Sequence, residues 1–308
     1  ISKSFRELSR PAHSDVPHWP HQNALGGTMR RFIAALAAAL VAVPALAAEQ
    51  PPPLSQNTYA FTLGDTAISG PGAGLLRRKT VNAQFVLIGE DHHDHDSPIF
   101  AADLYRMLHE ERGFSYLAVE IDPLAAEAIN SRPYRGDLKK IAELSRTYPT
   151  HIGFTSDQDL AILALASAGS RDGKPALWGL EQSQGMPRYL EELVRLAPND
   201  VARDQAQALL DLARQRDRRE TFGAFVHDDP AILPQARALQ AAFAAVPGSR
   251  ADKLLNLMVG SLEIYSFNRR AGEGERVGLY NNSYREALFK AHFMDAYRQA
   301  SKGGRTPK

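Results

Sequence analysis

Four apolar residues, Phe85-Val86-Leu87-Ile88, run straight into Gly89, and the seven residues after it, Glu90 to Asp96, can all bind a proton or a metal ion. An apolar run of this length, bounded by a turn signal, reads as a buried strand. Gly89 lets the backbone turn, Glu90 to Asp96 form the loop, and Ser97-Pro98 opens a helix with Ser97 as N-cap and Pro98 in the first helical position. In open α/β sheets, ligands bind just beyond the carboxyl ends of the strands, which is where this charge-rich loop falls.

The pattern recurs twice. Tyr116-Leu117-Ala118-Val119 ends in Glu120, with Asp122 close behind, and Ala176-Leu177-Trp178-Gly179-Leu180 ends in Glu181. Helical patterns lie between these runs. One spans Pro98 to about Arg112 and is closed by Gly113; another is the apolar stretch Leu160 to Ala168, led by Ser156 as N-cap. Alternating strands and helices predict a parallel sheet with crossover helices. Glu90, Glu120 and Glu181 then share one sheet edge. Glu is depleted in strands and costly to bury unpaired, so three such strand ends beside a histidine cluster point to a site.

From Met186 to about Asn268 the chain is rich in Ala, Leu and Arg. The pattern predicts helices over Pro187–Leu196, Val201–Arg218, Ala231–Ala245 and Asp252–Phe267. This block reads as a large helical insertion or cap (residues 186–268) over the sheet edge. A last helix is expected over Tyr284–Ala300. Gly303 to Lys308 is a loop of the kind that precedes a strand, and three strands are few for so many helices. At least one further C-terminal strand is therefore expected beyond Lys308.

Met29-Arg30-Arg31, the apolar stretch Phe32–Leu46 and Ala45-Leu46-Ala47 form a secretory signal peptide over residues 29–47. Fifteen apolar residues broken by Pro44 are too few for a membrane span. Residues 1–28 read as upstream sequence translated from a wrong start. Residues 48–80 are a leader, Pro-rich at first, and 81–308 a single α/β domain. The expected location is periplasmic or secreted. The first 48 residues hold five Lys/Arg against two Asp/Glu; subtracting that +3 from the chain's +1 leaves −2 for the remainder. Such a balance argues against nucleic-acid binding. The absence of cysteine excludes a thiol nucleophile, Cys-ligated zinc and disulfides.

No G-x-S-x-G elbow occurs; Ser183 in Glu181-Gln182-Ser183-Gln184-Gly185 comes nearest and lacks the first glycine. Gly70-Pro71-Gly72-Ala73-Gly74 has no lysine for a phosphate loop and reads as a plain loop. His109-Glu110 has no second His at helical spacing. What remains is carboxylate and imidazole chemistry. A histidine titrates near neutrality and suits general base work, and the cluster also offers ligands for a divalent ion. In an extended loop adjacent side chains point apart. His93 with His95, or His92 with a Glu from another strand, is therefore the better ligand set. His109, His151, His227 and His292 read as surface or satisfied core residues.

The run Gly89-Glu90-Asp91-His92-His93 resembles the G-E-x-x-H of the erythromycin esterase family, and Gly89-x-x-His92 fits the G-x-x-H of the related haem-binding ChaN and TIKI/TraB-type proteins. The order that follows is similar too: a strand ending in Glu120, a Trp178-Gly179-Leu180 strand ending in Glu181, and a late helix carrying Arg285-Glu286-Ala287-Leu288-Phe289. The resemblance covers about Phe85 to Ala300. It implies an α/β fold with a helical region and an esterase that activates water without a serine nucleophile. His93, or His92 in the other register, would be the base, oriented by Glu90 or Glu120, with Glu181 nearby. Arg285 would bind the substrate carbonyl or oxyanion of a small-molecule substrate. The relatives imply two alternatives: a haem- or metal-binding protein with His92, His93 or His95 as ligand, and a TIKI-like metallohydrolase.

Overall fold

The computed structural model describes residues 58–308 apart from 65–66, 90–93, 154–155, 218–222, 228, 273, 275–277, 303 and 305. The expected signal peptide, the Pro-rich stretch Glu49–Gln56 and four residues of the expected site, Glu90, Asp91, His92 and His93, lie outside the described residues.

The described residues begin with an isolated antiparallel bridge, Thr62 to Ser69, followed by α1 (Gly70–Lys79). The expected loop at Gly70–Gly74 is thus a helix start. Pro71 supplies the fixed φ of a first turn, and Gly72 lets the helix lie against the incoming chain: a Cβ there would stand 2.8 Å from the Tyr59 carbonyl oxygen. Next come α2 (Asp96–Arg112), β1 (Leu117–Val119), α3 (Pro123–Asn130), α4 (Leu138–Thr147), α5 (Asp157–Ala168) and β2 (Leu177–Gly179). β1 and β2 pair in parallel, Leu117 opposite Leu177 and Val119 opposite Gly179. The described residues are mostly helical with one small two-stranded parallel sheet, which is compatible with the expected α/β class.

Local chemistry sets the helix ends. Gly113 closes α2 in the left-handed conformation. Its start differs from expectation: α2 begins at Asp96, and the capping carboxylate is Asp94, which accepts from the Ser97 N–H at 2.7 Å and the Ser97 hydroxyl at 2.6 Å. A carboxylate three residues ahead outcompetes the Ser97 hydroxyl for the free amides of the first turn. α5 opens on a reciprocal capping box between Ser156 and Asp159.

Phe85–Ile88 does not form the expected strand. Val86 packs on the cluster of Ile68, Leu104 and Phe114, and Phe85 meets Phe293 with ring centroids 5.9 Å apart. Leu87, however, is 91% exposed. A strand exists only by hydrogen-bonding to another strand, and among the described residues none pairs with this segment. The expectation of three Glu-ended strands therefore reduces to two in the sheet.

Beyond β2 lie α6 (Pro187–Leu196), α7 (Asp200–Arg216), α8 (Ala224–His227), α9 (Ile232–Phe243), α10 (Arg250–Gly272) and α11 (Gly278–Ser301). α6 to α10 bury a core of their own around Tyr189, Leu210, Phe225, Leu239 and Met258. A second core, with Ile121, Ile129, Ile141 and Leu163, lies under the sheet. α11 runs back along the opposite side, where Phe293 meets Trp178 of β2 at 5.8 Å. Among the described residues no helix is long and apolar enough to cross a membrane.

Candidate functional site

A cleft of about 1270 Å³ opens along β1 and at the carboxyl ends of both strands. One half is apolar, between Phe85–Ile88 and β1. The other half is polar and carries Glu120, Asp122, His151, Glu181, Gln182 and Arg285.

Glu181 arrives there because β2 ends tightly against the turn after β1. The Leu180 N–H donates to the Val119 carbonyl at 3.1 Å, and the Glu181 N–H to the Ile121 carbonyl at 3.0 Å. Gly179 permits the approach: a Cβ would stand 2.4 Å from the Asp122 carbonyl oxygen. Arg285, about two turns into α11, reaches the same point. Its Nε donates to Glu181 Oε1 at 2.9 Å and to Gln182 Oε1 at 3.2 Å, and its Nη2 donates to Glu181 Oε2. Glu120 Oε2 stands 3.5 Å from Nη2. One guanidinium thus bridges two of the three carboxylates expected to converge.

Burial raises the Glu181 carboxyl above its usual range. Arg285 opposes the shift without cancelling it, and the Glu120 charge adds to it. Arg285, bonded to Glu181, is held more firmly protonated than a free guanidinium. Behind the pair, His292 of α11 places Nδ1 2.9 Å from the Leu180 carbonyl oxygen, and burial lowers its pKa.

A second polar group lines the cleft, and sequence reasoning passed over it. Asp122 is buried and caps α3, its Oδ1 accepting from the Leu124 and Ala125 N–H groups at 2.8 Å each. Burial pushes its carboxyl up to about 6, although Tyr189 and Arg188 pull it back. His151, 3% exposed, has Arg188 Nη1 2.8 Å from Nε2 and the Tyr189 hydroxyl 3.0 Å from Nδ1. A guanidinium can only donate, so Nε2 accepts and the proton sits on Nδ1. Burial, and then the Arg188 charge, hold this imidazole well below its usual pKa. It is a satisfied core histidine, as expected, yet it also faces the cleft. Asp122-Pro123, a helix-start signal, was the one hint to this group.

Of the other candidates, His95 lies on the cleft rim with a largely exposed side chain, its Nδ1 2.8 Å from Asp96 Oδ1. Glu90, His92 and His93 are outside the described residues. Among the described residues no group of three His, Asp or Glu is placed to hold a metal ion. No protein-family model matches the chain, and no curated protein or solved structure matches it.

Proposed function

We propose that this protein is a hydrolase of ester bonds that activates water with a histidine base and needs no serine nucleophile. The observation that carries the reading is the Arg285 clamp. A guanidinium fixed by Glu181 and flanked by Glu120 stands at the polar end of a cleft large enough for a small-molecule substrate. Gly89 and Asp94, which flank Glu90 and His93 in the sequence, also line that cleft. Among the described residues Arg285 Nη1 makes no hydrogen bond, which leaves it to serve an incoming oxygen. The resemblance to erythromycin esterases supports the same roles.

In this mechanism His93, oriented by Glu90 or Glu120, takes a proton from water as the oxygen attacks the ester carbonyl carbon. Negative charge forms on the carbonyl oxygen, and Arg285 stabilises it as a preorganised donor. When the intermediate collapses, the C–O bond to the alcohol breaks and the histidinium returns its proton to the leaving alkoxide. The export reading accompanies the proposal, with a mature N-terminus within Ala48–Gln50.

The test is hydrolysis of a panel of p-nitrophenyl and macrocyclic esters. Loss of turnover in His93→Ala and Arg285→Lys, with Ser183→Ala fully active, is the expected result. Activity that follows Ser183 instead would overturn it. The haem-binding alternative draws on the aromatic residues Phe85, Tyr116, Trp178 and Phe293 lining the cleft. It predicts a sharp Soret band on adding haemin, lost in the His92, His93 or His95 variants.

A further inference from the structure

The cleft changes character along its length, and the change falls at the Arg285 clamp. Glu120 directly follows Val119 of β1, so Glu120, Glu181 and Arg285 stand where the two halves meet. On one side, Val86, Ile88, Leu117 and Val119 line the cleft together with the rings of Trp178 and Phe293. The Trp178 ring lies 4.7 Å from Tyr116 and 5.8 Å from Phe293, centroid to centroid. Its Nε1 already donates to the Pro175 carbonyl at 3.1 Å, so the indole offers a ligand apolar surface only. A polar group laid against these side chains would lose its water and gain no partner.

On the other side the lining is polar and mixed. Glu120 and Asp122 accept hydrogen bonds, Arg285 donates, and Gln158, Gln182 and Gln184 do both. Part of this capacity is unused within the protein. Gln184 Oε1 is buried and has no hydrogen-bond partner among the described residues. Glu120 is 39% exposed and approaches Arg285 only to 3.5 Å. A buried acceptor left unpaired costs free energy that a ligand donor recovers. The mixture selects the ligand's chemistry. A phosphate needs donors and meets the charges of Glu120 and Glu181. An amine needs acceptors and meets the charge of Arg285. A series of hydroxyls, each both donor and acceptor, suits carboxylate, amide and guanidinium together.

We propose that the ester taken by this cleft joins an apolar acyl chain to a polyhydroxylated, sugar-like alcohol. The acyl chain lies along β1 on the Trp178 ring, the ester carbonyl meets Arg285, and the sugar occupies the half lined by Glu120 and Gln184. The wall from Tyr116 to Glu120 measures about 13 Å at ~3.3 Å per residue, room for an extended chain of about eight to ten carbons. In hydrolysis, water adds to the acyl carbon and the C–O bond to the sugar breaks. The sugar oxygen leaves with the proton that the base took from water. This inference rests on the hydrolase reading for the ester bond; the two halves of the ligand come from the cleft itself.

The experiment separates binding from turnover. The chain has two tryptophans, so in a Trp19→Phe background the emission of Trp178 reports the cleft. The probe is octyl β-glucoside below its micelle concentration, an acetal that ester hydrolysis leaves intact, with 1-octanol and methyl β-glucoside as controls. Octyl glucoside should bind at least about tenfold tighter than 1-octanol, the gain of two or three hydrogen bonds, and methyl glucoside should leave the emission unchanged. Gln184→Leu should weaken octyl glucoside about fivefold and leave 1-octanol unaffected, which also shows that the variant is folded. Ile88→Glu should weaken both. For turnover, kcat/KM on glucose esters should rise about three- to fourfold per methylene from butanoyl to octanoyl. Octyl glucoside binding no tighter than 1-octanol overturns the proposal, and the hydrolase reading survives if p-nitrophenyl esters are still cleaved. Selective octyl glucoside binding without cleavage of any ester supports the ligand class and refutes the hydrolase reading instead.

Discussion

Arg285 on α11 and Glu181 at the end of β2, 104 residues apart in sequence, are joined by two hydrogen bonds across the polar end of the cleft. The carboxylate is 9% exposed and the guanidinium 33%. Burial therefore weighs mainly on the carboxylate, and the pair fixes the last helix to the strand end that carries half of the proposed site.

Breaking this pair should cost stability unevenly. Arg285→Ala strands a buried carboxylate and should destabilise the protein by about 1–3 kcal/mol, below the figure for a fully buried pair because Arg285 is partly solvated. Glu181→Gln added to Arg285→Ala should restore most of that loss while activity stays absent. Urea melts of the two single variants and the double variant check this. Additive losses would show that the two residues do not act as a unit.

The buried histidine gives a pH signature. His151 in the folded protein titrates well below an unfolded histidine, so the native state binds fewer protons than the unfolded state as pH drops below about 6.5, and stability is lost there. Asp122 acts in the opposite sense. Its carboxyl, raised to about 6, makes the native state bind more protons, so its contribution grows as pH falls from about 6 toward 4. His151→Gln keeps a donor and an acceptor in place and removes the imidazole titration. Its urea midpoint should fall less than that of the wild type between pH 7 and 5. A constant offset between the two proteins across that range would sink this account.

How much of this was legible in the sequence depended on whether a feature was local. The Ser156 N-cap, the Gly113 stop and the Pro187–Leu196 amphipathic helix are set within one or two turns, and they stand where the pattern put them. The apolar runs ending in Glu120 and Glu181 revealed β1 and β2 for the same reason. Phe85–Ile88 carries an equal signal and is not a strand, because pairing needs a neighbour that no local pattern supplies. α1 hid behind three glycines and a proline, residues that disfavour helix interiors and are tolerated in a first turn. The His151–Arg188–Tyr189 contact was illegible, since only the tertiary fold brings the α6 residues under the turn that carries His151.

Gly179 should tolerate no side chain. A Cβ at 2.4 Å from a backbone oxygen cannot be relieved by rotating a rotamer; the turn after β1 must move. Gly179→Ala should cost several kcal/mol, on the order of other overpacking and backbone-shift variants. It should also displace Glu181 from Arg285, so activity falls with stability. A melting temperature within a degree of wild type would contradict the tight strand end described above.

The last prediction separates a functional cluster from a structural one. Glu120 and Glu181 crowd one guanidinium, and each additional carboxylate near them raises the cost of keeping the others charged. Glu90 and His93 fall in the sequence between Gly89 and Asp94, which line the same cleft. If these residues serve chemistry, removing their groups should relieve repulsion rather than break a network. His93→Ala should abolish ester hydrolysis and leave the melting temperature unchanged or higher. Glu90→Gln, which keeps the shape and removes the charge, should behave the same way. Arg285→Ala should instead lose activity and stability together, because among the described residues it is the cation paired with both Glu120 and Glu181. Thermal melts run beside the activity assay on all three variants decide the matter. If His93→Ala and Glu90→Gln each lose several degrees and keep full activity, the cluster is a structural network, and the histidine-base mechanism is wrong.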